Sequence, residues 1–117
     1  MQIKKYDIFV VNLDPKKWHV QAGKRPCVVL QNNTFNEYAP TLIVCPLTTT
    51  EKTPFPSEFF IFPSKNNGLS SVSRFLGSQI LTIDKHYFWE KLGELETKYH
   101  DQIQNTLHLV FDLDDEY

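Results

Sequence analysis

The chain has 117 residues, of which 41% are hydrophobic and 22% charged, and its formal net charge is −2. This length fits a single domain over residues 1–117, and the composition excludes an intrinsically disordered chain. The net charge excludes an overall attraction to nucleic acid, but the charges are unevenly distributed. Residues 1–36 carry six basic and two acidic residues, whereas residues 84–117 carry three basic and nine acidic ones. A basic front and an acidic tail suggest an anion-binding face at one end, although both segments could equally be solvated surface.

The first half of the chain predicts three short strands. They are rich in β-branched, aliphatic and aromatic residues and cover residues 6–13, 27–30 and 41–45. A loop separates the first two strands. Between the second and third, Asn32, Asn33 and Asn36 predict a turn or a short helical excursion.

The second half predicts two more strands and a helix. The strands cover residues 58–62 and 72–83, and Gly77 within the second predicts a bulge or a close backbone approach. Apolar residues then recur at helical spacing and predict an amphipathic helix over residues 97–112: Tyr99, Ile103, Leu107 and Val110. Several short antiparallel strands closed by one helix predict a mainly β fold that curls into a small, partly open barrel.

The sequence also bears on location. No segment approaches the run of about 20 apolar residues that a membrane-spanning helix needs, and the first five residues lack the apolar core of a secretory signal. We therefore expect a cytoplasmic protein with no membrane association. Cys27 and Cys45 both lie in apolar, strand-like surroundings, which favours buried free thiols over a disulfide.

Several segments resemble the MazF/PemK-like (Kid-like) toxin family, in the order in which that family shows them. The opening segment DIFVVNLDP resembles the first strand and its Leu-Asp-Pro turn, and QAGKRP resembles the motif Gln-x-Gly-x-Arg-Pro. Later segments are similar in the same way: FN, VCPLT, SQILTIDK and KLGEL. Each motif is short, but together they cover nearly the whole chain.

This resemblance implies a twisted antiparallel barrel of five to seven strands with a C-terminal helix, of the MazF/CcdB type. It also implies an mRNA interferase, the toxin of a type II toxin–antitoxin pair. Such an enzyme cleaves single-stranded RNA at short sequences by transferring the phosphate to the adjacent 2′-OH. The implied partners are single-stranded RNA, a cognate antitoxin with a disordered acidic tail, and a second copy of the chain in a homodimer.

Arg25 and Thr48 are the first two candidate catalytic residues. The Arg25 guanidinium can grip a phosphate at two points and stabilise its extra charge, and the resemblance puts Arg25 at the family's catalytic arginine. Thr48 matches the second catalytic position, and its hydroxyl can donate to a phosphate oxygen. The structural alternatives are an arginine that orders the loop and a threonine that forms part of a turn.

His19 is the third candidate, because a neutral imidazole carries protons near neutral pH and some family members have a histidine here. It could equally be an exposed loop residue. The neighbouring Trp18 could stack on an unpaired base or pack the loop against the barrel. The remaining predicted substrate-binding residues lie in or beside the family motifs: Gln21, Lys24, Thr49, Ser78 and Gln79. No cofactor is implied, and no carboxylate or His/Cys cluster has metal-ligand spacing.

The chain departs from the family at three positions. Val20 stands where many members have glutamate, Ser78 where many have aspartate, and Leu81 where arginine is common. These changes leave no obvious carboxylate to act as general base. Arg74 could replace a lost phosphate contact if it shares a strand face with Ser78, or it could be a surface residue.

Two alternatives to a ribonuclease therefore stay open. One is a catalytically impaired relative that still binds RNA or an antitoxin. The other is a toxin of the same fold that poisons a protein target, as the related CcdB toxins do to DNA gyrase. The acidic C-terminus, residues 114–117, argues against the second alternative, which would be expected to use an apolar helix end.

Overall fold

The structure, a computed structural model, describes residues 2–13, 23–49 and 52–113. Along the chain, these ranges contain seven strands and two α-helices: β1 Asp7–Asn12, β2 Lys24–Val29, α1 Asn33–Tyr38, β3 Thr41–Thr48, β4 Glu58–Ile61, β5 Ser73–Leu76, β6 Leu81–Asp84, β7 Phe88–Glu94 and α2 His100–Phe111. Two 3₁₀ turns, Lys85–Tyr87 and Thr97–Tyr99, precede β7 and α2.

All of the strand pairings are antiparallel and join the strands into one sheet. Its order is β4-β5-β3-β2-β1-β7, and β6 pairs with β3 beside this path. The predicted class, mainly antiparallel β with a C-terminal helix, is confirmed. The barrel is open, because no pairing between the described parts of β4 and β7 closes the sheet.

The structure divides the predicted strand of residues 72–83 into β5 and β6. Both strands pair with the same edge of β3, but the register of β6 does not continue that of β5. At the break, the Gly77 amide donates to the Ser57 carbonyl at 3.1 Å, and the Gln79 amide turns back to the Leu76 carbonyl at 2.8 Å. The predicted bulge at Gly77 is therefore a complete interruption of the strand.

Strand β7 was not predicted. Its sequence, FWEKLGE, does not alternate between apolar and polar residues, and its register against β1 is interrupted twice. Gly93 in this strand lies against the backbone of Asn66 and Asn67, so that a larger side chain would collide with them. This close packing comes from the tertiary structure and has no signature within the segment itself.

The predicted C-terminal helix is confirmed, and of the two alternatives for residues 32–36, a turn or a short helical excursion, the structure shows the helix. Helix α1 begins after Asn32, whose side-chain oxygen accepts a hydrogen bond from the Phe35 amide at 2.9 Å and so caps the helix. The predicted C-terminal helix consists of the second 3₁₀ turn followed by α2. It ends at Asp112, whose φ of 54° lies in the left-handed region that commonly terminates helices.

The core is formed on two sides of the sheet. The helix-side core comprises Ile8, Val28, Cys45, Leu47, Ile61, Leu69, Phe75, Leu76, Leu95, Tyr99 and Ile103. The far-side core comprises Phe9, Val11, Leu13, Cys27, Val29, Leu42, Val44 and Phe88. Because successive residues of a strand point to opposite faces, strands with both faces covered read as nearly continuous apolar runs.

The two cysteines are buried free thiols, as the sequence predicts. Burial raises the pKa of the Cys27 thiol to about 12, although the positive charge of Arg25 opposes the shift. Burial likewise raises the pKa of the Cys45 thiol. In the described part of the chain, no helix is both long and apolar enough to cross a membrane.

Candidate active site

Strands β2 and β3 bring Arg25 and Thr48 together. The two strands pair through Cys27 and Pro46, Val28 and Cys45, and Val29 and Val44. Continuing this register by two residues places Arg25 opposite Thr48. Neighbouring strands lie about 4.8 Å apart. This extended register puts two residues that are 23 positions apart in the chain near the adjoining ends of neighbouring strands.

Arg25 and Thr48 also lie on the same face of the sheet. Arg25 is two residues from Cys27, and Thr48 is four from Val44, so both share the face of these far-side core residues. The electrostatics agree, because the Arg25 charge lowers the pKa of the Cys27 thiol against the larger effect of burial. The Arg25 guanidinium and the Thr48 hydroxyl can thus contact the same ligand from one face of the sheet.

The end of β3 separates a buried threonine from an exposed one. Thr48 is only 4% exposed, whereas the next residue, Thr49, is exposed and lies beyond the strand. Both Arg25 and Thr48 have polar or electrostatic interactions within the protein. The sheet therefore holds the Thr48 side chain in place, whereas the Thr49 side chain can contact a ligand that approaches from solvent.

Arg74 continues the row on the other side of Thr48. It pairs with Thr48 across β3 and β5 and is only 8% exposed. Its Nε lies 3.3 Å from Glu58 Oε1, and its Nη1 donates to the Lys52 carbonyl at 3.4 Å. The ion pair lacks hydrogen-bond geometry, which leaves the buried Arg74 Nε without a hydrogen-bond partner among the described residues.

This arrangement corrects the expectation for Arg74. It does not share a strand face with Ser78, because the strand ends at Leu76 and Ser78 lies in the following turn. Nor is it a surface residue, since a buried carboxylate from Glu58 accompanies it. Sequence reasoning missed this pair because residues 58 and 74 belong to strands whose register is visible only in the fold.

Ser78 and Gln79 lie beside the middle of β3. Ser78 is exposed, and Gln79 is partly buried with its amide bonded to the Leu76 carbonyl. Their turn joins β5 to β6. Strand β5 pairs with Leu47 and Thr48 of β3, whereas β6 pairs with residues 41–44 of the same strand. The structure therefore does not bring them to the end of β3 where Arg25 and Thr48 meet.

Lys24 has an aromatic partner that the sequence did not reveal. Its Nζ lies 3.1 Å from the centre of the Trp89 ring, which makes a cation–π contact between β2 and β7. Trp89 itself is 58% exposed. A strand prediction for residues 88–94 would have been needed to place this tryptophan at the edge of the sheet.

Three predicted site residues, Trp18, His19 and Gln21, lie outside the described residues, as does Val20. They belong to the segment that connects β1 to β2, immediately before Lys24 and Arg25. Among the side chains that the structure does describe, no group of three His, Cys, Asp or Glu residues could hold a metal ion.

Comparisons with known proteins decide the family. The family described as "PemK-like, MazF-like toxin of type II toxin-antitoxin system" matches residues 4–111. The chain belongs to this PemK/MazF-like toxin family. A curated relative, Endoribonuclease MazF of Staphylococcus saprophyticus subsp. saprophyticus, is 34% identical over 112 residues, covering 95% of this chain and 92% of its own.

Solved structures share the fold. MazF from Deinococcus radiodurans superposes with a TM-score of 0.81 at 23% identity, covering 96% of this chain and 98% of its own. An endoribonuclease from a mycobacterial species, in complex with its cognate antitoxin, gives a TM-score of 0.77 at 22% identity, with coverages of 95% and 96%. At these identities the likeness establishes the fold alone.

Proposed function

We propose that this PemK/MazF-like toxin is a metal-independent, sequence-selective endoribonuclease that cleaves single-stranded RNA. The proposal is supported by the positions of Arg25 and Thr48 near the adjoining ends of β2 and β3, where strand alternation puts both on one face of the sheet. These are the two residues that the resemblance implies as catalytic. The name of the curated relative, Endoribonuclease MazF, supports the same activity.

The proposed reaction is a transfer of the phosphate within the RNA. The 2′-oxygen attacks the adjacent phosphorus and loses its proton, the bond from phosphorus to the 5′-oxygen breaks, and that oxygen gains a proton. The products are a 2′,3′-cyclic phosphate and a 5′-hydroxyl. No water is consumed in this step, so a group that accepts the first proton can supply the second.

Arg25 is proposed to stabilise the phosphate as negative charge accumulates on it. Its guanidinium offers a planar pair of donors that match two phosphate oxygens. Thr48 would donate a hydrogen bond to the same group from the neighbouring strand, and its burial fixes the direction of that bond. Since the positive charge comes from an arginine, the scheme requires no metal ion.

The proton carrier in this proposal is His19, in the segment just before Lys24. A histidine titrates near neutral pH and can both accept and release a proton. Among the described residues, Glu58 is a carboxylate beside the row, but it is buried and paired with Arg74. Trp18, Gln21, Lys24 and Thr49 would contact the RNA on either side of the cleaved bond. Ser78 and Gln79 would do so from the turn beside β3.

The proposed partners follow from the same family. A relative of this fold is described in complex with its cognate antitoxin. We infer that this chain also binds a cognate antitoxin, and that the antitoxin makes the contact with a disordered acidic tail of its own. We further propose that it acts in the cytoplasm as a homodimer.

The decisive experiment incubates the purified protein with a long natural RNA in excess EDTA. We expect cleavage at a limited set of sites, with products that carry a cyclic phosphate and a 5′-hydroxyl. Arg25→Ala is the matched negative control for contaminating ribonuclease. Activity that vanished with EDTA and returned with Mg²⁺ would contradict the proposed mechanism.

One observation favours a second candidate, a catalytically impaired relative that binds RNA without cutting it. Val20, Ser78 and Leu81 replace residues that the family often uses, and the nearby Glu58 is held by Arg74. Wild-type protein that bound RNA tightly in EDTA but left it intact would establish this alternative.

A further inference from the structure

The edge strand β7 presents an aromatic side chain beside the candidate active site. Trp89 is 58% exposed although the ring is one of the largest apolar groups in the chain. The residue before it, Phe88, is buried in the far-side core, so the backbone at this point is firmly held. An indole fixed at its base and open to solvent has a free surface for stacking on a planar ligand.

The strand register places the backbone next to Trp89 at the same end of the sheet as Arg25. Val11 of β1 pairs with Arg25 on one side and with Phe88 on the other. Arg25 and Phe88 are thus two strands apart, about 10 Å at the usual spacing of strands. The register between β1 and β7 shifts at this position, and such an irregularity re-aims the side chains around it.

Lys24 supplies charge at the same place. Its ammonium group lies 3.1 Å from the Trp89 ring centre, and Lys24 is exposed. Because Lys24 directly precedes Arg25 in β2, the two side chains leave the strand on opposite faces, so the pair lies at the same end of the sheet as the guanidinium but on its other face. The pair combines a cation that can meet a phosphate with a ring that can meet a base. Proteins that bind single-stranded nucleic acid use this combination, because phosphates and bases alternate along the strand.

We propose that Trp89 and Lys24 form a stacking platform for a nucleobase of the RNA substrate, on the side of the cleaved phosphate that faces β7. This inference rests on the proposed function and deepens it by assigning a binding residue outside the family motifs. The RNA strand passes from Arg25 over the end of the sheet, where β1 ends and β2 and β7 begin, to the Lys24–Trp89 pair. One base then stacks on the open surface of Trp89, and Lys24 contacts the neighbouring phosphate. Trp89 is a substrate-binding residue and takes no part in proton transfer.

The test measures binding and cleavage separately. The binding probe is a single-stranded RNA twelve-mer of random sequence that is 2′-O-methylated throughout, which removes the attacking hydroxyl and prevents cleavage. Trp89→Ala should weaken binding roughly 5- to 100-fold, the scale of one lost base–aromatic stack. Trp89→Phe should retain most of the affinity. The tryptophan emission that is present in wild type and missing in Trp89→Phe should be quenched by the probe.

Two further variants sharpen the assignment. Lys24→Met keeps the length of the side chain but removes its charge. It should reduce the slope of log affinity against log salt concentration by about 0.7, the value for one phosphate contact on a single strand. Tyr38→Ala is the matched control, since Tyr38 is 78% exposed and lies before the start of β3, at the opposite end from Thr48. It should bind the probe as wild type does.

The outcomes separate this inference from the proposed function. If wild type cleaves RNA and Trp89→Ala binds the probe equally well, the platform is wrong and the ribonuclease stands. The inference is also wrong if Trp89→Ala leaves RNA binding intact but disrupts the dimer or antitoxin binding, because the ring then serves a protein interface. If wild type neither binds the probe nor cleaves RNA, the proposed function fails and the platform fails with it.

Discussion

Arg25 lies at the border between the apolar core and solvent. It is partly buried, it has electrostatic interactions within the protein, and the apolar surroundings of Cys27 begin two residues further along β2. A charge at the border of an apolar core is less screened by water than one on an open surface. This position strengthens its attraction for a phosphate.

Arg25→Ala should therefore lower the cleavage rate by about a hundredfold or more, the scale of losing one donor that stabilises developing charge. Arg25→Lys should restore little, since one ammonium cannot reproduce a two-point grip on phosphate. The thermal midpoint should fall by at most about 5 °C, which corresponds to about 1 kcal/mol in a domain of this size. Single-turnover cleavage and thermal unfolding are measured on the same preparations.

Lys65→Ala provides a charge-matched control for this series. Lys65 is exposed, and the residues that follow it pack against Gly93 and Glu94, at the far end of β1 from Val11 and Arg25. This variant should cleave at the wild-type rate. An Arg25→Ala protein that cut RNA normally would exclude a catalytic role, and one that lost activity by unfolding would assign Arg25 a structural role.

The sequence was sufficient to select single residues for their chemistry, but it did not show which residues they contact in the fold. Arg25 and Thr48 were selected from their residue types and motifs, and the fold then brought them into one row. The pairing of Arg74 with Glu58 and the contact of Lys24 with Trp89 depend on strand order and register. Neither follows from local spacing, so neither was predicted. The roles of all these residues await the kinetic tests.

At the scale of elements, the loop before β5 is fitted closely against β7. Gly68 has a φ of +69°, and a β-carbon added there would collide with the Leu92 backbone. Gly68→Ala should therefore destabilise the fold through two effects. The left-handed backbone costs about 1–2 kcal/mol for a residue with a side chain, and overpacking adds about 1–3 kcal/mol. Urea unfolding measures the sum.

Gly23 allows the two effects to be separated. Its φ is +75°, similar to that of Gly68, but a β-carbon there would lie within 4 Å of none of the described residues beyond its chain neighbours. Gly23→Ala should therefore lose only the backbone contribution of about 1–2 kcal/mol. If the two variants lost the same free energy of unfolding, the loop and β7 would have to move apart at little energetic cost to accommodate the added β-carbon.

The elements that were predicted correctly are those whose own residues form a recognisable pattern. Strands β1 to β4 are marked by apolar runs, and α2 by its helical spacing, so local physics is sufficient for them. The break between β5 and β6 depends on the Ser57 carbonyl reaching Gly77, and β7 depends on β1 and on the loop at Asn66. These contacts join distant parts of the chain, and no local pattern records them.

At the scale of the whole molecule, the structure leaves a group of phenylalanines exposed around β4: Phe55, Phe60 and Phe62. Phe59, which the sequence groups with them, is instead partly buried and stacks on Phe75 with ring centres 4.9 Å apart. The apolar surface available to a partner is therefore smaller than the sequence suggests.

We expect a homodimer of twice 13.7 kDa at micromolar concentration, measured by sedimentation equilibrium. If the exposed phenylalanines form the interface, Phe62→Ser should shift the protein towards monomer. Leu109→Ser removes a side chain of similar exposure from α2 and should leave the dimer intact. A monomeric wild type would contradict the homodimer, and an unchanged Phe62→Ser dimer would move the interface elsewhere.

The pairing of β1 with β7 has a consequence for synthesis on the ribosome. Strand β1 contains residues 7–12 and its outer neighbour β7 contains residues 88–94, so residues 13–87 must be synthesised before the two can meet. Until then the nascent hairpin of β1 and β2 carries an unpaired edge, which is a template for pairing with other chains. Because translation is vectorial, the pairing of β1 with β7 waits until Phe88 and the residues after it have left the ribosome. A chain released before Phe88 would keep this edge open and would be a ready substrate for chaperones and proteases.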